Sequence, residues 1–319
     1  MRIVRYGNSS DDVFEKNAFN LFDKNTVLTV GTYDGVHRGH QGILKKMREL
    51  ADENGSRVVV MTFDPHPQIV LKRDGREPVR LLTTIDERCN MFEELGVDVA
   101  VVITFTREFA STSAEQFVRD VAGKIGVQQF FVGHDHMFGK DRGGNEELLQ
   151  RLSTELGFEV HTVEPLSCNS VVVSSSKIRA ALSTGNVAEA NEMLGRPYAL
   201  VGSVVKGDGR GKTLGFPTAN IVPLDENQLV PANGVYVVTS VIDGRVEKGL
   251  ANIGRRPTFT DDTEATIEVH FLDYDEDLYD DVLTIRFHTR VRDEKKFENK
   301  KALIAQINSD KEQATELIL

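Results

Sequence analysis

The stretch Val30-Gly31-Thr32-Tyr33-Asp34-Gly35-Val36-His37-Arg38-Gly39-His40 decides how the first half of the chain is read. Before it, Val27–Val30 is an apolar run with the length of a buried strand. After it, Ile43, Leu44, Met47, Leu50 and Ala51 recur at helical spacing and mark one face of a helix. The glycines between strand and helix allow a tight turn and close approach of the main chain to a ligand. His37 and His40 stand where the helix begins, so two imidazoles and several free backbone N–H groups converge. A phosphate there is favoured by the positive end of the helix and by donors aimed at developing negative charge. The bare His-x-x-His spacing also describes two surface histidines in a Gly-rich turn, so the spacing alone does not fix a site.

Working outward, strand and helix signals alternate. Val58–Phe63 reads as a strand ended by the stiff turn Asp64-Pro65-His66-Pro67. Thr84-x-x-Glu87 has the form of a capping box opening a helix to about Leu95, and Val99–Phe105 is the next strand. A helix opening at Ser113-x-x-Gln116, a strand at Gln129–Val132, a helix at Asn145–Leu156 and a strand at Glu159–Val163 follow. Strands separated by helices in this way predict a doubly wound parallel sheet, an α/β Rossmann-like fold, with ligands at the carboxyl ends of the strands.

Two short helices, Lys177–Leu182 and Val187–Leu194, lead to Gly195-Arg196-Pro197, and the pattern then changes. Short strands are expected at Ala199–Val205, Ala219–Val222, Val235–Ile242, Val246–Asn252, Thr266–Phe271 and Leu283–Phe287, with Asp243-Gly244 as a two-residue hairpin turn. Six strands without intervening helices predict a small antiparallel β-barrel, closed by a helix at Lys300–Ile307. The expected organisation is a domain over 1–185, a helical linker over 186–197 and a second domain over 198–319.

A chain of 319 residues with 40% hydrophobic and 27% charged residues suits two globular domains. The formal net charge of −11 argues against a broad nucleic-acid surface but leaves small anionic ligands open. Cys89 and Cys168 have no CxxC partner, which argues against a disulfide framework or a zinc site and fits a reducing compartment. No leader-like or membrane-length apolar run is seen, so a soluble cytoplasmic protein with no membrane or nucleic-acid partner is expected. Oligomeric state is left open.

The first quoted stretch extends to the longer pattern Gly-x-x-Asp-Gly-x-His-x-Gly-His after a strand. This resembles the signature of nucleotidyltransferases that share a fold core with class I aminoacyl-tRNA synthetases. Val132-Gly133-His134-Asp135-His136-Met137-Phe138-Gly139 lies past a strand end, and Val173-Ser174-Ser175-Ser176-Lys177-Ile178-Arg179 sets hydroxyls at a helix start with a cation one turn on. With Asp64-Pro65-His66-Pro67, this ordered set resembles the FAD synthetase module of bacterial bifunctional riboflavin kinase/FAD synthetases. The resemblance implies that His37 and His40 stabilise the transition state at the α-phosphate of ATP. It assigns Gly31, Asp34, Gly35 and Gly39, with Ser175, Ser176 and Arg179, to ATP phosphates, and Asp135 to substrate. Tyr33 stands where the family commonly has Phe, and His136 replaces a frequent Phe.

The second half offers Lys206-Gly207-Asp208-Gly209-Arg210-Gly211-Lys212-Thr213-Leu214-Gly215-Phe216-Pro217-Thr218-Ala219-Asn220. Its glycines and cations form a loop able to wrap phosphates, though the same composition describes a solvated loop feeding an edge strand. It is not a Walker A loop. Thr218 and Asn220 point to one face of an extended segment, where a hydroxyl and an amide oxygen could hold Mg²⁺. In the strand Thr266–Phe271, Glu268 projects with Thr266 and His270 away from the apolar face, as a merely solvated glutamate also would.

Gly-Phe-Pro-Thr-Ala-Asn, together with Ala251-Asn252-Ile253-Gly254-Arg255-Arg256-Pro257-Thr258-Phe259, closely resembles riboflavin kinase. Glu268-Val269-His270-Phe271, Asp277-Leu278-Tyr279 and Arg292-Asp293-Glu294-Lys295-Lys296-Phe297 continue the match. It implies Glu268 as general base toward the riboflavin 5′-hydroxyl, and Gly207, Gly211, Lys212, Thr218 and Asn220 as the ATP and Mg²⁺ grip. Asn252 and Gly254 fall in the ATP/flavin loop, and Arg292 and Phe297 at the flavin pocket. The implied whole is a bifunctional ATP-dependent transferase, a kinase that makes FMN from riboflavin and a nucleotidyltransferase that makes FAD from FMN. A single live activity, another phosphorylated acceptor, a non-catalytic flavin sensor and RNA charging are the rival readings. The presence of His37, His40, Asp135, Arg179, Thr218 and Glu268 argues against the first and third.

Overall fold

A computed structural model of the chain describes residues 1–7, 22, 23, 25–72, 78–133, 138–140, 143–168, 171–207, 211, 214–255, 265–274 and 276–317. Asp135, His136 and Lys212, singled out from sequence, lie outside the described residues. The chain divides into two units, Met1–Val79 with Ile85–Val173, and Arg80–Thr84 with Ser174–Leu319.

The first unit runs β1 (Arg2–Tyr6), β2 (Thr26–Val30), α1 (Arg38–Asn54), β3 (Arg57–Asp64), α2 (Pro67–Val70), α3 (Ile85–Glu94) and β4 (Val99–Thr104). It continues with α4 (Arg107–Ala110), α5 (Ala114–Ile125), β5 (Val127–Gly133), α6 (Glu146–Leu156), β6 (Glu159–Val163) and the small hairpin β7 (Ser167–Cys168) and β8 (Val171–Val172). The first six strands form one sheet in the order β1-β4-β3-β2-β5-β6, with every pairing parallel. Strand residues alternate between two cores. Val27, Val58, Val60, Ala100 and Val102 meet Leu44, Met47 and Ala51 of α1 and Phe92 of α3 on one face. Leu28, Val30, Met61, Val101 and Phe130 meet Phe117, Val118 and Val121 of α5 and Leu149 and Leu152 of α6 on the other. Apolar burial on both faces is what makes these strands near-continuous hydrophobic runs in the sequence.

From β2 the chain steps to β3 and β4 on one side, then returns to β5 and β6 on the other. The switch point therefore lies between β2 and β5, and its crevice opens at their carboxyl ends, where the Gly31–His40 turn begins. The edge strand β1 is not legible in the sequence. Only Val4 of its five residues is buried, so it leaves no apolar alternation to read. The turn expected at Asp64-Pro65-His66-Pro67 continues into α2, capped by His66, whose Nδ1 accepts from Gln68 N at 3.1 Å. Proline at the first helical position explains how a stiff turn can also start a helix.

The second unit contains α7 (Ser175–Ser183), α8 (Val187–Leu194), β9 (Tyr198–Val205), β10 (Ala219–Pro223), β11 (Gly234–Ile242), β12 (Arg245–Arg255), β13 (Ala265–Phe271), β14 (Val282–Arg292) and α9 (Lys300–Leu317). The six strands close into an antiparallel barrel in the order β10-β13-β12-β11-β14-β9. At the β11–β12 hairpin, Asp243 and Gly244 take φ of 49° and 76°, and Ile242 pairs with Arg245. Two positive φ values are what the twist of a two-residue hairpin requires. Helices α7 and α8, read from sequence as the end of the first module and a linker, group here with the barrel. Asn191 explains the docking of α8. Its amide donates to the carbonyls of Phe287 (2.8 Å) and His288 (3.1 Å), and it accepts from Tyr198 N at 2.7 Å.

Helix α9 runs ten residues past its expected end at Ile307. The run Asn308-Ser309-Asp310 reads as a polar stop, but Asp310 is 1% exposed and Ala314 packs on Val235, Val237 and Leu250 of the barrel. Burial against the barrel overrides the local signal.

Candidate active sites

The Gly31–His40 turn is held tightly. Gly31 N donates to Met61 O at 3.0 Å, carrying the β2–β3 pairing one residue further. Three positions of the turn have positive φ: Tyr33 at 50°, Gly35 at 86° and Val36 at 36°. A β-branched residue at positive φ costs ~1–3 kcal/mol and persists only where its surroundings over-determine it. They do so here, because Val36 N donates to Tyr33 O at 2.9 Å and Gln41 Nε2 donates to Val36 O at 2.8 Å. The Tyr33 hydroxyl, absent from the commoner Phe, bonds Thr29 Oγ1 at 2.7 Å, and burial raises its pKa. The departure from the family pattern is thus satisfied inside the core. Asp34, expected at the phosphates, is buried completely within the turn.

His37 is the N-cap of α1, and its Nδ1 accepts from His40 N at 3.3 Å. An accepting Nδ1 places the ring proton on Nε2. The His37 and His40 rings stack with centroids 3.6 Å apart and planes within 15°, and Tyr33 lies 4.7 Å from His40. A Cβ on Gly39 would approach the His37 ring to 3.2 Å, so glycine is what lets this imidazole lie against the helix start. The first turn of α1 carries no acidic residue, which leaves the positive helix end available to an anion. Of the other expected phosphate residues, Ser175 and Ser176 open α7 behind the N-cap Ser174, and Arg179 Nε donates to Arg80 O at 2.6 Å.

In the barrel, register brings the predicted residues together. Asn220 pairs with Glu268, and Glu268 pairs with Asn252, so the three stand side by side on neighbouring strands β10, β13 and β12. Directly opposed residues share a face, at ~4.8 Å between strands. Ile267 and Val269 are buried, so Glu268 lies on the opposite, outer face, as alternation predicts. Gly207 closes on Asn220 of this row, and Gly211 on Thr218. A Cβ on Gly207 would sit 2.1 Å from Asn220 Nδ2, and one on Gly211 would sit 3.1 Å from Thr218 Oγ1.

His270, which the sequence reading left without a role, anchors that loop. Its Nδ1 donates to Pro217 O at 2.8 Å, one residue before Thr218, and its ring meets the edge of Phe216 at 5.5 Å. Lys311 of α9 lies over the other side of this cluster, 5.9 Å from the Phe216 ring. Burial depresses the His270 pKa below that of a free histidine. The unfolded chain then binds the proton more readily, so the stability that neutral His270 contributes is present above the ordinary histidine range and is lost as pH falls through the lower folded value. Comparing denaturant midpoints at pH 7.5 and 5.5 checks this: the wild type is expected to lose more stability on acidification than His270→Gln.

Arg292 and Phe297 were expected at the flavin pocket, with surface charge and core aromatic as the plain alternatives. Arg292 is no surface charge. Its guanidinium grips Asp310 through Nε (3.0 Å) and Nη2 (2.8 Å), Gln306 adds a bond to Asp310 at 2.8 Å, and the Phe297 ring lies 5.7 Å from the guanidinium carbon. The pair fastens α9 to β14. Removing one partner strands a buried charge, so Asp310→Ala is expected to lower stability by ~3–5 kcal/mol in equilibrium denaturation. Gly254 is buried, and a Cβ there would come within 2.6 Å of Glu294 Oε1.

The family model for FAD synthetase matches residues 20–177, and the model for riboflavin kinase matches residues 194–318. The chain is 39% identical to the bifunctional riboflavin kinase/FMN adenylyltransferase of Bacillus subtilis over 91% of both chains. It is 39% identical to the Escherichia coli K12 protein of the same name, over 91% of this chain and 92% of that one. A crystal structure from Streptococcus pneumoniae, described as a macrolide-efflux protein, superposes with a TM-score of 0.84 at 32% identity, covering 92% of this chain and 95% of that one. Among the described residues here, no helix is long and apolar enough to cross a membrane. With both halves matched in order along nine-tenths of its length, the chain belongs to the bifunctional riboflavin kinase/FMN adenylyltransferase family, and it makes FMN from riboflavin and FAD from FMN.

Proposed function

We propose that the Asn220–Glu268–Asn252 row carries the phosphorylation of riboflavin, and that the Gly31–His40 turn carries the adenylylation of FMN. In the first step Glu268 takes the proton of the riboflavin 5′-hydroxyl. That oxygen attacks the γ-phosphorus of ATP, and the β–γ bridging bond breaks to release ADP. The observation that supports this most is register: one carboxylate stands between two amides on adjacent strands, with the Gly207 backbone packed against one of those amides.

Thr218 and Asn220 would hold Mg²⁺. Their oxygens suit a hard cation, and glycine at 207 and 211 lets the main chain approach Asn220 and Thr218 closely. An ion held there would be bound mainly through substrate phosphates and a few neutral oxygens. When bound, the ion offsets phosphate charge. Gly207, Gly211 and Lys212 complete the ATP grip, and Asn252, Gly254 and Phe297 the flavin side, in the same proposal.

In the second step a phosphate oxygen of FMN attacks the α-phosphorus of ATP, and pyrophosphate leaves. His37, His40 and the positive end of α1 stabilise the charge that develops. Steadying of the triphosphate by Ser175, Ser176 and Arg179, and substrate contact by Asp135, belong to this proposal. Both cysteines are free, in keeping with a reducing compartment. The test resolves products by chromatography after riboflavin, ATP and Mg²⁺ are added. FMN should appear first and FAD second, and chelating Mg²⁺ should stop both. FAD formed from riboflavin without transient FMN would overturn the order of steps.

A further inference from the structure

We infer that Arg88 is a positioning residue for adenylyl transfer, which fixes the loops after β2 and β3 relative to each other. The inference rests on reading the Gly31–His40 turn as the adenylyl-transfer site. Arg88 lies on α3 and is 0% exposed, among the largest fully buried side chains of the protein. Its helix otherwise presents apolar groups to that face of the sheet, with Cys89 and Phe92 in the core. Burying a guanidinium there is far costlier than burying a leucine, so its hydrogen bonds must hold something a leucine cannot.

They hold the two loops. Nη1 donates to Thr32 O at 2.8 Å, inside the Gly31–His40 turn, and reaches Phe63 O at 3.3 Å, just before Asp64-Pro65-His66-Pro67. It also contacts Thr62 Oγ1 at 3.3 Å, and that hydroxyl donates to Thr32 O at 3.0 Å. Thr32 O thus receives two donors from two other elements. Both carbonyls sit at the carboxyl ends of adjacent parallel strands, the ligand end of such a sheet. The bonds to Thr32, Thr62 and Phe63 all leave from Nη1, so one always-charged nitrogen on a planar, buried group ties the two loops together. The same charge, buried behind the turn, adds positive potential on the side from which phosphates are held without touching them.

Nothing in the sequence marks this residue. Arg88 falls in an amphipathic helix where a charged residue reads as solvent-facing, and only the depth of its burial distinguishes it.

The test compares Arg88→Met and Arg88→Lys in the full chain, following FMN to FAD and riboflavin to FMN separately. The second reaction serves as an internal measure of intact protein. Arg88→Met is expected to lower kcat/KM for ATP in FAD formation about 100-fold, because a displacement near 1 Å in a reacting site has that effect. The loss should include a raised KM for ATP, and riboflavin phosphorylation should stay within about twofold of wild type. Arg88→Lys, retaining charge and one donor group, should recover about tenfold of the loss.

A purely structural role lowers the amount of active enzyme, so kcat falls while KM for ATP stays at the wild-type value in both variants, and that result overturns the inference. If Arg88→Met does not fold, Arg88→Lys decides: an unchanged KM for ATP overturns the inference and a raised one supports it. His40→Ala separates the two layers. FAD formation that survives His40→Ala removes the site itself, whereas its loss beside a fully active Arg88→Met removes only the role of Arg88.

Discussion

Glu268→Gln is expected to stop the conversion of riboflavin to FMN while FMN supplied from outside is still converted to FAD. The substitution keeps shape and hydrogen-bonding reach but cannot accept a proton, so it tests the base and not the packing. The side chain stands between Asn220 and Asn252 on a partly exposed face, where a neutral amide is easily accommodated. Loss of a general base lowers kcat by about 10²–10⁴, whereas loss of a binding contact shifts KM. The expected signature is therefore a collapse of kcat for riboflavin phosphorylation with little change in KM for ATP. Phosphorylation that persists within about threefold of wild type would remove Glu268 from the reaction and leave the row as a binding surface. Loss of FAD formation as well would mean that the substitution damaged the chain as a whole.

Much of this architecture was legible because it rests on patterns that chain-local physics imposes. The helix face Ile43, Leu44, Met47, Leu50 and Ala51 is the buried face of α1, and strand β6 and helix α8 fall where their periodicity sets them. The Asp243-Gly244 turn is where two positive φ values are needed. What was illegible depends on partners distant in sequence. Helix α9 looks finished at Asn308-Ser309-Asp310 until Arg292, eighteen residues upstream of Asp310, takes up the carboxylate. Arg88 and His270 read as ordinary polar positions, because their meaning lies in backbone carbonyls they reach across the fold, at Thr32, Phe63 and Pro217. Edge strand β1 buries one side chain and so writes almost nothing into the sequence. The site chemistry was readable in residue types, but the register that sets Asn220, Glu268 and Asn252 in one row is a property of the closed barrel.

The turn after β2 permits an equally sharp experiment, because His37 does two jobs that different substitutions separate. As N-cap it accepts a hydrogen bond from His40 N, and as the inner ring of a stacked pair it faces the positive start of α1. His37→Asn preserves a good cap and removes the imidazole; His37→Ala removes both. Both variants are expected to lower FAD formation by about 10²–10³, the range for losing a donor aimed at developing charge. Only His37→Ala should also lower stability, by ~1 kcal/mol, in denaturant unfolding. His40→Ala should match His37→Asn in rate. The double substitution should cost little more than either single one, since two rings stacked at 3.6 Å act as a unit. In each case riboflavin should accumulate as FMN, because the barrel contains neither histidine. Additive losses would instead mean that the two rings serve separate groups of the substrate. A stable, fully active His37→Asn would reduce this histidine to a helix cap and move the charge-stabilising role to His40 and the backbone of the turn.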